Sequence, residues 1–236
     1  MNALIWVDDL EIELRRSDRR KTVDLTVDRA GELVIAVPAA FSDARVEEII
    51  RSRLEWIYQT LGNKRRVLHP KIGKEYMTGE GFHYLGRKYR LKLLRAGDGA
   101  LAGPALQLKN GRFLMAERVA PEGRQHFVRW YARQASRRFA SEVTALAPRV
   151  GVTPGPVRVM DLKNRWASCS KTGGLNFHWR AILLPIDRVR YLVTHELAHL
   201  IEHSHSARFY EILGRVAPDY EDAERWLKEN GDLYDL

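Results

Sequence analysis

The sequence predicts an α+β protein, and two contrasting periodicities predict it. Over 10–37 and again over 82–115, apolar residues alternate with polar ones, the pattern of strands with one buried face. Over 42–61, 121–146 and 188–203 they recur at three- and four-residue intervals, the spacing of helices with one apolar stripe. A third observation locates the chemistry. The 236 residues include 8 histidines, and His195, His199, His203 and His205 all fall in one short stretch.

Composition sets the outer limits. Hydrophobic residues are 45% and charged residues 29%, which excludes a disordered or fibrous chain and suits one large domain or two small ones. A composition shift near 118–121 predicts a β-rich N-terminal region, 1–118, and a second domain, 119–236. The single cysteine, Cys169, excludes an intramolecular disulfide and any zinc site built on cysteine pairs. No apolar run approaches a membrane span, and the start, Met1 to Asp9, is too short and acidic for a secretory signal. A cytoplasmic protein is the expectation. Lys and Arg number 39 against 30 Asp and Glu; the resulting +9 reads first as an ordinary solvated surface and second as a preference for anionic partners. The chain has neither an aromatic RNA-binding signature nor finger spacing, so nucleic acid is favoured by charge and by no motif.

The first elements read as a β-meander: Leu10, Ile12, Leu14; then Val23, Leu25, Val27; then Leu33, Ile35, Val37, ended by Pro38. Its turns fall at Arg15–Arg20 and Asp28–Gly31. The basic cluster from Arg15 to Lys21 reads as a solvated hairpin tip, with phosphate binding as the lesser reading. Ser42 is an N-cap, and Val46, Ile49, Ile50, Leu54, Ile57 and Leu61 form the stripe of one helix stopped by Gly62. A basic connector, Lys64–Lys74, follows. Strands return at Phe82–Tyr84, Tyr89–Leu93, Leu106–Leu108 and Phe113–Met115, and Asn110-Gly111 is a strong hairpin signal. The Gly-rich piece 97–103 is a loop without a phosphate-binding pattern.

Pro121 suits the first turn of a long helix whose stripe is Phe127, Trp130, Tyr131, Ala135, Phe139, Val143 and Leu146, closed by Pro148. Val157 and Val159 begin a small sheet, Arg165–Ser170 continues it, and Leu175–Leu184 is its third strand. Asp187 is the expected N-cap of the next helix, which is apolar around most of its surface and is therefore buried.

That helix carries His195-Glu196-Leu197-Ala198-His199. Histidines four apart on a helix share one face and can chelate one ion, and Glu196 beside them can take a proton from water. Burying these groups requires a compensating partner, which a metal supplies. A catalytic zinc needs a third protein ligand. His203 is about 12 Å along the helix from His195 and is on the wrong level. His205 is better placed if the helix breaks at Ser204, with Ser206 capping a helix from Ala207 to about Val216. Glu202 and the acidic residues of 219–224 are the outside candidates. Such a site predicts metal-assisted hydrolysis, with zinc lowering the pKa of water and Glu196 as general base. Arg165, His178, Tyr210 and Tyr220 are candidates by type for stabilising the oxyanion.

Several stretches together resemble the YgjP-like family of metal-dependent hydrolases, related to the WLM and SprT-like zinc metallopeptidases. They are Arg165-Trp166-x-Ser168-Cys169-Ser170, Leu175 to Arg180, His195 to Leu200, and His205-Ser206-x-x-Phe209. Pro218-Asp219-Tyr220, Trp226-Leu227 through Asn230-Gly231 and Arg20–Val23 fit the same pattern. The family usually has Gly where this chain has Ala167. Metzincin proteases have Gly where this chain has Glu202, so the chain is not assigned to them.

The resemblance implies an N-terminal antiparallel β-rich part with one helix and a C-terminal zincin-like, minigluzincin-type part with a small sheet and an active-site helix. It implies Zn2+ on His195, His199 and His205, with Glu196 as the base. It makes 175–181 an edge strand that pairs with a peptide substrate, with Arg165, Trp166 and Ser168 as scaffold near the site. Cys169 reads as a structural thiol. A zinc metallopeptidase is the leading expectation. The alternatives are a metal-dependent nucleotide pyrophosphohydrolase, an activity associated with the family, and a basic DNA-associated protein with a structural zinc.

Overall fold

The computed structural model describes residues 2–27, 32–67, 73–95, 103–162 and 165–236. The turn expected at Asp28–Gly31 lies outside them, as does nearly all of the loop at 97–103. The architecture is α+β, in two compact units, Met1–Lys71 and Ile72–Leu236.

The first unit opens with β1 (Asn2–Val7) and β2 (Leu10–Ser17), followed by β3 (Asp24–Val27) and β4 (Leu33–Pro38). β1 escaped the sequence reading because Ala3–Val7 is a continuous apolar run without alternation. The sheet order is β1-β2-β4-β3, with β2 parallel to β4. It is therefore two hairpins laid side by side, and the expected meander is corrected: β2 takes β1 as its hairpin partner, through the turn at Asp8 (φ 54°). The basic tip is also shorter than expected, because Arg15 and Arg16 belong to β2, where Arg16 pairs with Asp43.

The helix expected over 42–61 is two helices, α1 (Asp43–Arg51) and α2 (Leu54–Val67). Ser42 caps the first by accepting the Arg45 N–H at 3.3 Å. The break follows from Ser52, whose Oγ donates to the Ile49 carbonyl at 2.7 Å and so draws off a helical acceptor. α2 runs through Gly62 and takes in the start of the expected connector. Val46, Ile50 and Ile57 close the core over Ile12, Leu14, Leu33, Ile35 and Val37.

The second unit starts with the same plan. β5 (Gly81–Tyr84), β6 (Arg87–Leu94), β7 (Leu106–Lys109) and β8 (Arg112–Ala116) form a sheet of order β5-β6-β8-β7, with β6 parallel to β8. Asn110 and Gly111, both at positive φ, make the β7–β8 hairpin turn. A 3-10 turn at Glu117–Glu122 holds Pro121 and leads into α3 (Gly123–Val150), which ends at left-handed Gly151. The inner sheet face packs on α3 through rings: Phe82 stacks on Phe127 at 4.0 Å, and Phe113 meets Phe127 and Trp130 edge-on, each at 5.0 Å. The boundary expected at 118/119 thus falls inside the second unit, because the sheet before it and the helix after it share one core.

A smaller sheet follows: β9 (Val157–Met160), β10 (Ala167–Cys169) and β11 (Leu175–His178), in the order β10-β11-β9. The strand expected to run to Leu184 stops at His178. Its ring Nδ1 accepts the Arg180 N–H at 3.0 Å and turns the chain into a 3-10 helix, Trp179–Leu183. Then come α4 (Ile186–Ala198), α5 (Ala207–Val216) and α6 (Tyr220–Asn230). α4 is capped at Pro185 without a side-chain bond, so Asp187 is a first-turn residue and not the cap.

The β5–β6 turn fixes where α4 begins. Leu85 and Gly86 donate their N–H groups to Ile182 and Leu183 at 2.9 and 3.0 Å. Gly86 has φ +79°, and a Cβ there would stand 2.8 Å from the Pro185 Cα. Gly86→Ala is therefore expected to cost about 1–3 kcal/mol through strain and displacement of Pro185. Urea denaturation measures this, and an unchanged midpoint would refute the tie.

Candidate metal and catalytic site

α4 is buried on nearly all sides, with Val189, Leu192, Val193, Leu197 and Ala198 in the core. His195 and Glu196 sit in its last turn, and His199 is its C-cap. The break expected at Ser204 comes earlier. Leu200 and Ile201 donate to Leu197 and Ala198 at 3.1 and 3.0 Å in a tight final turn, and the chain then reverses. Ser206 restarts helical structure as the expected cap of α5, accepting the Phe209 N–H at 3.3 Å.

The reversal brings His205 back to the helix. One ring nitrogen from each of His195, His199 and His205 lies within 4.8 Å of the others, and the Nε2 atoms of His195 and His205 are 3.1 Å apart. Ligands about 2.0–2.1 Å from a tetrahedral ion are about 3.3 Å from one another, so the cluster has the dimensions of a three-nitrogen site. The other nitrogens are committed. His199 Nδ1 donates to the Glu202 carbonyl at 3.1 Å, and His195 Nδ1 faces the Tyr191 hydroxyl at 3.4 Å. The Glu202 carbonyl can only accept, so it fixes the His199 tautomer and leaves Nε2 with its lone pair, while the Tyr191 hydroxyl orients the His195 ring; both are usual outer partners of a metal-binding histidine. Phe209, fully buried, lies 4.5–4.9 Å from all three imidazoles and forms an apolar floor.

The electrostatics favour neutral histidines. Burial, with His199 and His205 close by, pushes the His195 pKa down to about 3, and burial also lowers that of His199. Glu196 is displaced the other way. Burial raises its pKa to about 7, against opposition from the Arg165 guanidinium and a hydrogen bond from the Cys169 backbone N–H. Glu196 Oε2 is the buried side-chain oxygen that lacks any partner among the described residues. A carboxyl oxygen desolvated and unpaired beside the three clustered imidazoles fits a site built around a cation.

The remaining candidates divide. Arg165 acts electrostatically on Glu196, and Tyr210 lies 6.3 Å from His205, ring to ring, while stacking on Tyr220. His178 has both nitrogens engaged, Nδ1 by Arg180 and Nε2 with Asp161 at 3.2 Å, so it organises the turn after β11. Trp166 is also structural, lying under the Arg180 guanidinium and against Gly231. Glu202 is held by Ser204, and Asp222 by Arg188 and Arg225. His203 is exposed. Cys169 is half-buried with its thiol pKa raised by burial. Sequence reasoning missed the roles of Tyr191 and Phe209. Their spacing gave a signal: Tyr191 is one helical turn before His195, and Phe209 is four residues after His205, in the first turn of α5.

β11 is central in its sheet, with β10 on one side and β9 on the other, so it is not the expected edge strand. β10 is an edge, and it is β10 that packs on α4 and reaches Glu196 through Cys169.

No curated protein matches the chain. Among solved structures, it is similar to the metallopeptidase zymogen abylysin of Pyrococcus abyssi, with 26% identity and a TM-score of 0.34 over 38% of this chain and 91% of that one. The family described as "YgjP-like, metallopeptidase domain" matches residues 21–230, nearly the whole sequence, and the chain belongs to that metallopeptidase family.

Proposed function

We propose that the chain is a cytoplasmic, zinc-dependent peptidase in which His195, His199 and His205 hold the ion and Glu196 is the general base. One observation carries this reading: three convergent histidine nitrogens stand beside a buried carboxylate with an unpartnered oxygen. Nitrogen-only donors favour zinc over the oxygen-seeking calcium and magnesium. When bound, the ion supplies Lewis acidity to activate water and polarise a carbonyl.

The chain's own residues supply the rest. Glu196, with a pKa near 7, exchanges protons at neutral pH, taking one from water and passing it to the leaving amine. The Cys169 N–H holds the carboxylate in place. Tyr191 and the Glu202 carbonyl orient two imidazoles, and Phe209 keeps water from beneath all three. The outer edge of β10 offers main-chain hydrogen bonds to an extended peptide. Tyr210 and Arg165 are the nearest groups by type to steady a developing oxyanion.

Glu196→Gln is expected to lower peptide cleavage by about 10²–10⁴-fold with zinc content near one per chain retained, whereas His205→Ala loses zinc. Metal analysis and hydrolysis of an unfolded protein, each with and without chelator, test this. Full activity in Glu196→Gln would sink the assignment. Pyrophosphate release from nucleotides without peptide cleavage would replace it with the nucleotide reading.

The chelated protein gives an independent check. The folded Glu196 pKa, about 7, lies above its ordinary 4.5, so its stabilising contribution is complete below pH 4.5 and is lost as pH rises to about 7. His195 has the opposite sign: about 3 lies below its ordinary 6.5, so its contribution is complete above pH 6.5 and is lost as pH falls towards 3. Glu196→Gln removes only the first loss. In chelator, its Tm should exceed that of wild type at pH 8, and this advantage should shrink as pH falls to 4.5. An advantage independent of pH would refute the buried carboxyl.

A further inference from the structure

The net charge of +9 is not spread along the chain. Residues 72–150 hold 15 Lys and Arg against 6 Asp and Glu, while 1–71 hold 13 against 12 and 151–236 hold 11 against 12. The excess therefore belongs to the sheet β5–β8 and to α3. On β6 the residues alternate: Tyr89, Leu91 and Leu93 turn inward, and Lys88, Arg90 and Lys92 are exposed. Register extends the outer face sideways. Arg90 is paired with Arg112 on β8, and Arg112 with Lys109 on β7. The remaining outward positions on these strands are Gly81, His83, Leu94, Gln107, Leu114 and Ala116, so the strands place five cations and no carboxylate on this face. Among the described residues, no ion pair engages any of the five.

This arrangement works against the fold. Like charges directly opposite in a sheet destabilise it, and here two such pairs are adjacent. The topology does not demand them. The sheet β1–β4 has the same strand order, and its outer face places Leu4 and Trp6 opposite Glu13 and Glu11. Cations along β6 stand about 6.7 Å apart, and neighbouring strands about 4.8 Å apart, giving a two-dimensional array.

From this array we infer that the solvent face of the β5–β8 sheet binds the phosphate backbone of duplex DNA. A duplex presents about one negative charge per 1.7 Å, dense enough to engage several of the five at once. The sheet's Phe and Tyr rings, Phe82, Tyr84, Tyr89 and Phe113, belong to its inner, core-packed face, and the outward His83 ring lies against Tyr234 at 4.8 Å, so none is offered for stacking unpaired bases as single-strand binders require. The face has no Ser, Thr or Asn to contact a ribose hydroxyl, and its one amide, Gln107, donates to the Pro104 carbonyl at 3.2 Å, which favours DNA over RNA. It also lacks an exposed large apolar residue to enter a membrane. Backbone contacts alone carry no sequence preference.

The test uses the full chain and fluorescence anisotropy with a random-sequence DNA duplex over a range of salt. Wild type is expected to bind, with affinity falling steeply as salt rises. The triple substitution Lys88→Gln, Arg90→Gln and Lys92→Gln should weaken binding at least tenfold and flatten the salt slope by about two to three. Its Tm should be equal or higher, because repulsion is relieved. Arg19→Gln, Arg20→Gln and Lys21→Gln together remove the same charge from the first unit and should leave affinity within about twofold. Binding should also survive Glu196→Gln, which separates it from the peptidase reading. The inference is overturned by absence of duplex binding at low salt, by equal losses in the two triple variants, or by tighter binding to duplex RNA, phosphatidylserine vesicles or polyglutamate.

Discussion

The second unit depends on one conflict: α4 must be buried for the fold and polar for the site. Val189, Val193, Leu197 and Ala198 anchor it in the core, and the same burial strips water from His195 and Glu196. Desolvation moves these neighbouring groups in opposite directions, imidazole towards the neutral base and carboxyl towards the acid. Neutral nitrogens and a carboxyl poised near neutrality are the states that metal binding and proton transfer need. On the reading proposed above, the burial that costs stability is thus also what prepares the chemistry.

The end of α4 matters as much as its middle. A straight continuation would have carried His203 and His205 away from His195. The tight turn after Ala198 reverses the chain, and capping by Ser206 starts α5 at a fixed point. Phe209 then falls in the first turn of α5, under all three imidazoles. Histidine position and apolar floor are thus set by one capped helix start.

The parts legible from sequence were those encoded locally. The His-Glu-x-x-His spacing, the Ser42 and Ser206 caps, the Asn110-Gly111 turn and the α3 stripe each depend on residues a few positions apart. Strand partners did not emerge, because alternation fixes which face is buried and leaves the neighbour open. Hence β4 beside β2, and β11 at the centre of its sheet, appeared only with the fold. The division of the chain was hidden for a similar reason: the change in composition at 118–121 marks a change of secondary structure within one core. His178 misled by residue type, since a histidine that takes an N–H from Arg180 looks the same in sequence as one facing a substrate.

Both units begin with two hairpins joined through a parallel central pair and followed by a helix on the inner face. The inner faces answer to packing and are alike: Ile12, Ile35 and Val37 in one, Phe82, Leu91 and Phe113 in the other. The outer faces answer to nothing in the fold, and they differ, acidic and apolar in the first sheet and basic in the second. When one topology tolerates both, the arrangement that places like charges on paired strands calls for a cause beyond folding. An external polyanion is such a cause, because it turns the repulsion between Arg90, Arg112 and Lys109 into binding energy through release of its counterions.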